Sequence, residues 1–165
     1  MEKRREPCVL FLEDSFAESH AERLRKAGYV RVERFSYHFK DERTNKCEQS
    51  VKDPPIIKFC NSKMWLLVTT DSNMHLTHVE TIKKTIVAIL ATAHNSADDM
   101  DEWVDGLIAG KPAIERYFKK FPRPCFATFN RQGKISSTKT ITPDHITRRK
   151  RPREAQEIAA STDSR

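Results

Sequence analysis

The sequence predicts an α/β domain in three layers, with a central, mainly parallel sheet flanked by helices. Two observations predict it. Residues 8–12, 65–70, 85–91 and 124–129 are short apolar runs rich in branched and aromatic side chains, as expected of strands buried on both faces. Between them lie segments with helix caps and apolar residues at helical spacing, and strands alternating with helices imply a parallel sheet joined by crossovers. The chain has 165 residues, enough for one domain with its own core.

Each element can be justified in order. After the first strand, Ser15 and Glu18 stand at the spacing of a reciprocal helix cap. Ala17, Ala21 and Leu24 give that helix an apolar stripe, and Gly28 supplies its stop. Residues 30–35 alternate, so the second strand is half exposed or near an edge. Residues 36–52 are polar and charged, an excursion carrying a loop or a short helix. Asp53 followed by Pro54 and Pro55 opens a helix, because aspartate caps well and proline suits the first turn. Past the strand at 65–70, Thr77 and Glu80 form a second reciprocal cap, opening a short helix to Lys84. After the strand at 85–91, Ser96 is expected to cap a helix with Asp98 and Asp99 in its first turn, where the helix dipole favours acids. Met100, Trp103, Val104, Leu107 and Ile108 are its apolar face, and Gly110 ends it. Pro112 starts another helix with Ile114, Tyr117 and Phe118 inward. The strand at 124–129 leads through a turn at 131–134 into a short return strand. From Thr142 the apolar signal fades into the basic run 148–153 and a polar end. The expected division is a folded domain over 1–141 and a basic, mobile tail over 142–165.

Composition narrows the function. Hydrophobic residues make up 38% and charged residues 32%, with a net charge of +7. A basic balance favours a polyanionic partner, nucleic acid first, although a solubilising surface gives the same count. Cys8, Cys47, Cys60 and Cys125 include no CxxC pair and no histidine at zinc-ligand spacing. That pattern predicts free thiols in a reducing compartment. No stretch approaches membrane-spanning length, and the apolar run near the start is too short for a signal peptide, so a cytoplasmic location is expected.

The chemistry centres on acids at strand ends. Asp14 follows the first strand and Asp71 the strand at 65–70. Carboxylates just past parallel strands lie at the sheet edge where open α/β folds place their ligand crevice. Two of them meeting there can hold a hard divalent cation that activates water against a phosphodiester. Taken singly, each also reads as a cap or turn residue. Asp53 is a third acid whose simplest role is capping. Glu13 is a further candidate, with its side chain expected to point away from Asp14 if strand geometry persists.

The order of these pieces resembles a family. The pieces are Leu12-Glu13-Asp14, the helix ending Leu24-Arg25-Lys26-Ala27-Gly28, the acid-led Asp53-Pro54-Pro55-Ile56-Ile57, and Val68-Thr69-Thr70-Asp71. Together they resemble the PIN-like nucleases, in particular the small VapC-type toxin branch, over roughly residues 7–137. The resemblance implies a three-layer PIN-like fold and a metal-dependent endoribonuclease, a hydrolase of RNA acting as the toxin of a toxin–antitoxin pair. By position it makes Asp14, Asp53 and Asp71 the catalytic acids that bind Mg2+ or Mn2+. The place of a fourth acid is taken by Asn73, an uncharged and weaker ligand. It also implies a cognate antitoxin protein as partner, with a homodimer left open.

Other residues are secondary candidates. Arg131, Lys134, Lys139 and the 148–153 run suit an RNA backbone. His75 and His78 are spaced for a metal on one helical face, but exposed histidines are commoner, and His94 lies close by in sequence. Asp98, Asp99, Asp101 and Glu102 read mainly as a solvated helix start. Two alternatives stand beside the nuclease: a PIN-like binding module without catalysis, suggested by Asn73, and a phospho-accepting receiver domain. The receiver also begins with a strand ending in paired acids, but it expects a lysine after a late strand, where this chain has Asn130-Arg131.

Overall fold

The structure, a computed structural model, describes residues 7–39, 53–94 and 99–140. Its elements run β1 (Val9–Leu12), α1 (Glu18–Lys26), β2 (Arg31–Arg34), α2 (Phe35–His38), α3 (Asp53–Lys63), β3 (Leu66–Thr69), α4 (Met74–Thr77), α5 (Val79–Ile82), β4 (Ala88–Thr92), α6 (Met100–Ala109), α7 (Lys111–Lys120), β5 (Cys125–Phe129) and β6 (Ile135–Thr140). The six strands form one sheet in the order β2-β1-β3-β4-β5-β6. Neighbours from β2 to β5 pair in parallel, and β6 returns antiparallel to β5.

Strand alternation divides the apolar side chains into two cores. Leu10, Leu12, Leu66, Val68, Ala88 and Leu90 face α1, α6 and α7, against Leu24, Trp103, Leu107, Ile114 and Phe118. Val9, Phe11, Leu67, Ile89 and Phe126 face the other way, against Ile56, Ile57 and Cys60 of α3, Met74 of α4 and Ile82 of α5. The sheet is thus covered on both sides, which is why β1, β3 and β4 are buried throughout and apolar but for Thr69 and Thr92 at their ends. Buried phenols tie the layers together: Tyr29 Oη donates to the Leu107 carbonyl at 2.6 Å and Tyr117 Oη to the Ile89 carbonyl at 2.9 Å. Cys8, Cys60 and Cys125 are free, buried thiols, and burial pushes Cys8 up to about 12, so they pack as small hydrophobes.

Several local expectations change. Ser15 does not cap α1; Ala17 precedes the helix, its N–H donating to His20 Nδ1 at 2.9 Å, while Ser15 turns back to Glu13. Ala17 is exposed. The expected helix from Thr77 to Lys84 is two single turns, α4 and α5, and Thr77 closes the first by donating its hydroxyl to the Asn73 carbonyl at 3.3 Å. Strand β2 starts at Arg31, and Val30 stands outside it, 75% exposed. It is an edge strand. Ser96, Asp98, Cys47, most of the 36–52 excursion and the 142–165 tail lie outside the described residues.

Candidate functional site

Strand order locates the crevice. From β1 the chain moves outward to β2, then crosses back to β3 on the other side of β1. The connections therefore diverge between β1 and β3, and beyond the carboxyl ends of those strands is where open α/β sheets place a ligand crevice. Leu12 of β1 lies beside Val68 of β3, so the residues just past each strand are neighbours.

Which acid enters the cleft follows from side-chain parity. Val9 and Phe11 face α3, and Leu10 and Leu12 face α1. Continuing the alternation, Glu13 turns to the α3 side and Asp14 to the other. The contacts agree. Glu13 Oε2 accepts from Thr69 Oγ1 at 2.6 Å, and Oε1 accepts from the Thr70 N–H at 2.8 Å, Thr70 Oγ1 at 2.6 Å and Ser15 Oγ at 3.1 Å. Asp14 is exposed. The sequence ranked Asp14 above Glu13; the structure brings Glu13 to β3.

Asp71 shares the parity of Leu67 and Thr69 and continues the network. Its N–H donates to Thr69 Oγ1 at 3.0 Å, and its Oδ1 accepts the Asn73 N–H at 2.9 Å, an Asx turn that shapes the loop into α4. Thr69 is fully buried, so its hydroxyl donates to Glu13 while its oxygen accepts from Asp71. One side chain thereby sets both acids. Asn73 is exposed and serves the turn through its backbone.

Asp53 reaches the same sheet edge because α3 runs back against β3 and begins there. Its Oδ2 stands 3.0 Å from His78 Nε2, at the start of α5. His75 stacks on Phe126 with ring centroids 4.1 Å apart. The two histidines turn to different partners and do not pair on one helical face. His94 is exposed beyond β4. Among the described residues, no group of three or more histidines, cysteines and acids could hold a metal ion.

The remaining candidates are engaged elsewhere. Asp99, Asp101 and Glu102 are more than a solvated helix start. Asp101 meets His20 and Arg23 of α1, and Arg131 pairs with Glu102 at 2.8 Å and Asp99 at 3.4 Å. His20 accepts the Ala17 N–H on Nδ1 and meets Asp101 through Nε2. Arg131 also lies over the Trp103 ring. Within the protein its charge is met by Glu102 and Asp99. Lys134 is exposed in the β5–β6 turn, and Lys139 pairs with Phe126 across β6 and β5. The 148–153 run is outside the described residues.

No helix among the described residues is long and apolar enough to cross a membrane. No model of a known protein family matches the chain, and no curated protein or solved structure does.

Proposed function

We propose that this chain is a PIN-like endoribonuclease that hydrolyses RNA phosphodiester bonds with Mg2+ or Mn2+, as the toxin of a toxin–antitoxin pair. The observation that carries the reading is Glu13 and Asp71 on one face of adjacent strands, joined through Thr69, at the β1–β3 switch point. Glu13 takes the role that the resemblance gave to Asp14. Glu13, Asp71 and Asp53 would hold the ion, with the Asn73 amide as a weak fourth. All are oxygen donors, the kind that hard cations prefer, although as they stand they do not close around one ion. A divalent cation, when bound, makes water a better nucleophile and stabilises charge on the phosphate. The chain's own contribution is to hold the Glu13 carboxylate with Thr69, Thr70 and Ser15, and to present Asp71 from a set turn.

Cleavage of a labelled RNA by purified variants tests this. Asp71→Asn and Glu13→Gln should each lose about a hundredfold or more in rate, since a metal-held phosphate is worth several kcal/mol. Asp14→Asn should keep most of its activity. Full activity in Asp71→Asn would end the proposal, and loss only in Asp14→Asn would return the first acid to Asp14.

Two observations favour other readings. Asp53 is held by His78, and Asn73 stands where a further acid is expected, as in a binding module without catalysis. Such a module would show neither cleavage nor stabilisation by manganese. The strand order, Asp71 beyond β3 and Thr92 at the end of β4 suit a phospho-accepting receiver, against which Asn130 follows β5 in place of lysine. Labelling of Asp71 by acetyl phosphate that hydroxylamine or alkali removes would identify that chemistry.

A further inference from the structure

The opposite edge of the sheet carries a different charge. Strands β1 to β5 are parallel, so all begin at one edge. The helical segment before each strand must end there. Lys26 closes α1 shortly before β2, Lys63 closes α3 before β3, Lys84 follows α5 before β4, and Lys119 and Lys120 close α7 before β5. All five side chains belong to exposed residues. Glu115, Lys119 and Lys111 of α7, with Arg123 beyond it, act electrostatically on Cys8, just before β1, which places α7 near this same edge.

Pairing separates these five lysines from other cations, even at the same edge, where Arg31 pairs with Glu33 and Lys83 with Glu80. Arg23, Arg34 and Arg131 each have an acid within ion-pair distance. No ion pair among the described residues involves Lys26, Lys63, Lys84, Lys119 or Lys120. Glu115, the acid of α7, is already taken by Lys111 at 2.8 Å. The helix dipole favours a cation in each last turn. That explains where the lysines are, but not why, among the described residues, none of the five is ion-paired.

We infer that this amino-terminal edge of the sheet is a docking surface for the phosphate backbone of RNA, separate from the acid-lined cleft on the opposite edge. Lysines gathered along one sheet edge, Lys26, Lys119 and Lys120 from the helices on one face and Lys63 and Lys84 from the other, fit a linear polyanion, which releases its counterions on binding. That the polyanion is RNA rests on the function proposed above. Because the surface lies away from the cleft, it would hold RNA flanking the scissile bond, or a second strand, rather than the reacting phosphate.

The test is binding without cleavage. Anisotropy of a labelled single-stranded RNA, read in EDTA across a salt series with the full chain, gives the slope of log affinity against log salt. Lys119→Glu/Lys120→Glu and Lys63→Glu/Lys84→Glu should each weaken binding about tenfold or more and flatten the slope by about 0.7 for each lost phosphate contact. Lys119→Arg/Lys120→Arg should keep both. Thermal melts confirm that the surface variants fold. An unchanged slope in either charge-reversal pair overturns the inference, as does equal loss in the arginine variant. So would anionic vesicles bound by the chain when RNA is not. Since EDTA removes the metal, this outcome is independent of catalysis: an inactive chain that still binds through these lysines refutes the nuclease and keeps the surface.

Discussion

At the scale of single residues, Thr69 shows how much depends on one hydroxyl. It is fully buried, donates to Glu13 and accepts from the Asp71 backbone. Replacing it with valine leaves an isosteric side chain but strips both neighbours of a partner. Thr69→Val should cost about 1–3 kcal/mol in denaturant unfolding, while Thr69→Ser should cost clearly less. Equal losses would show that the methyl group, not the hydroxyl, matters. Glu18 gives a second residue-scale prediction. The Tyr37 hydroxyl bonds to it, and Arg25 and Arg34 add hydrogen bonds, so its carboxyl lies below its usual 4.5. A depressed carboxyl stabilises the fold fully above about pH 4.5, and that contribution fades as pH falls through the lower folded value. Glu18→Gln should therefore lower the melting temperature near neutral pH, with the gap to the parent narrowing below pH 4.5. A gap constant with pH would show that charge plays no part.

At the scale of elements, most helices and strands were legible where the apolar period was strong. The apolar runs at 8–12, 65–70 and 124–129 each contain a strand, and the Trp103, Val104 and Leu107 face of α6 is buried as its spacing implies. What misled was capping grammar read without context. Ser15 and Glu18 have the right spacing, but Glu13 draws the serine hydroxyl away, and His20 satisfies the backbone instead. A stronger carboxylate acceptor two residues upstream outcompetes a cap, and sequence spacing does not report it. Backbone contact between elements was equally hidden. Gly106 and Gly110 of the α6 end lie against Asn130 and Gly133 of the β5–β6 turn, so closely that a Cβ on either would enter backbone. Gly133 also has φ +82°, which favours glycine on its own account. Gly110→Ala should destabilise by at least about 1–3 kcal/mol, since neither backbone can yield without moving an element. An unperturbed melt would mean that the turn shifts freely, and would loosen the placement of β6.

At the scale of the whole molecule, the sheet order was not readable from the chain, because it rests on pairings between residues far apart in sequence. Once known, it decides which acids share a cleft. The sequence placed Asp14 and Asp71 at one edge and ranked Asp14 above Glu13 because aspartate matched the resemblance; alternation from Val9 and Phe11 turns Glu13, not Asp14, to the α3 side. The same cleft yields a prediction about global stability. Under the proposed function the carboxylates would repel one another without an ion, and a ligand that binds only the folded state adds RT ln(1 + [L]/Kd), about 2.7 kcal/mol at a hundred times Kd. Asp71→Asn keeps the oxygen that accepts the Asn73 N–H but loses the charge. In EDTA it should melt at or above the parent's temperature; in manganese the parent should rise and the variant should not. Asp101→Asn is the contrasting case, since Asp101 meets His20 and Arg23 at the α1–α6 contact. It should lose a little stability in EDTA, on the scale of an exposed ion pair, about 0–1 kcal/mol, and respond to manganese as the parent does. If manganese raises neither the parent nor Asp101→Asn, these acids serve the fold rather than an ion, and the cleft is a binding surface without metal chemistry.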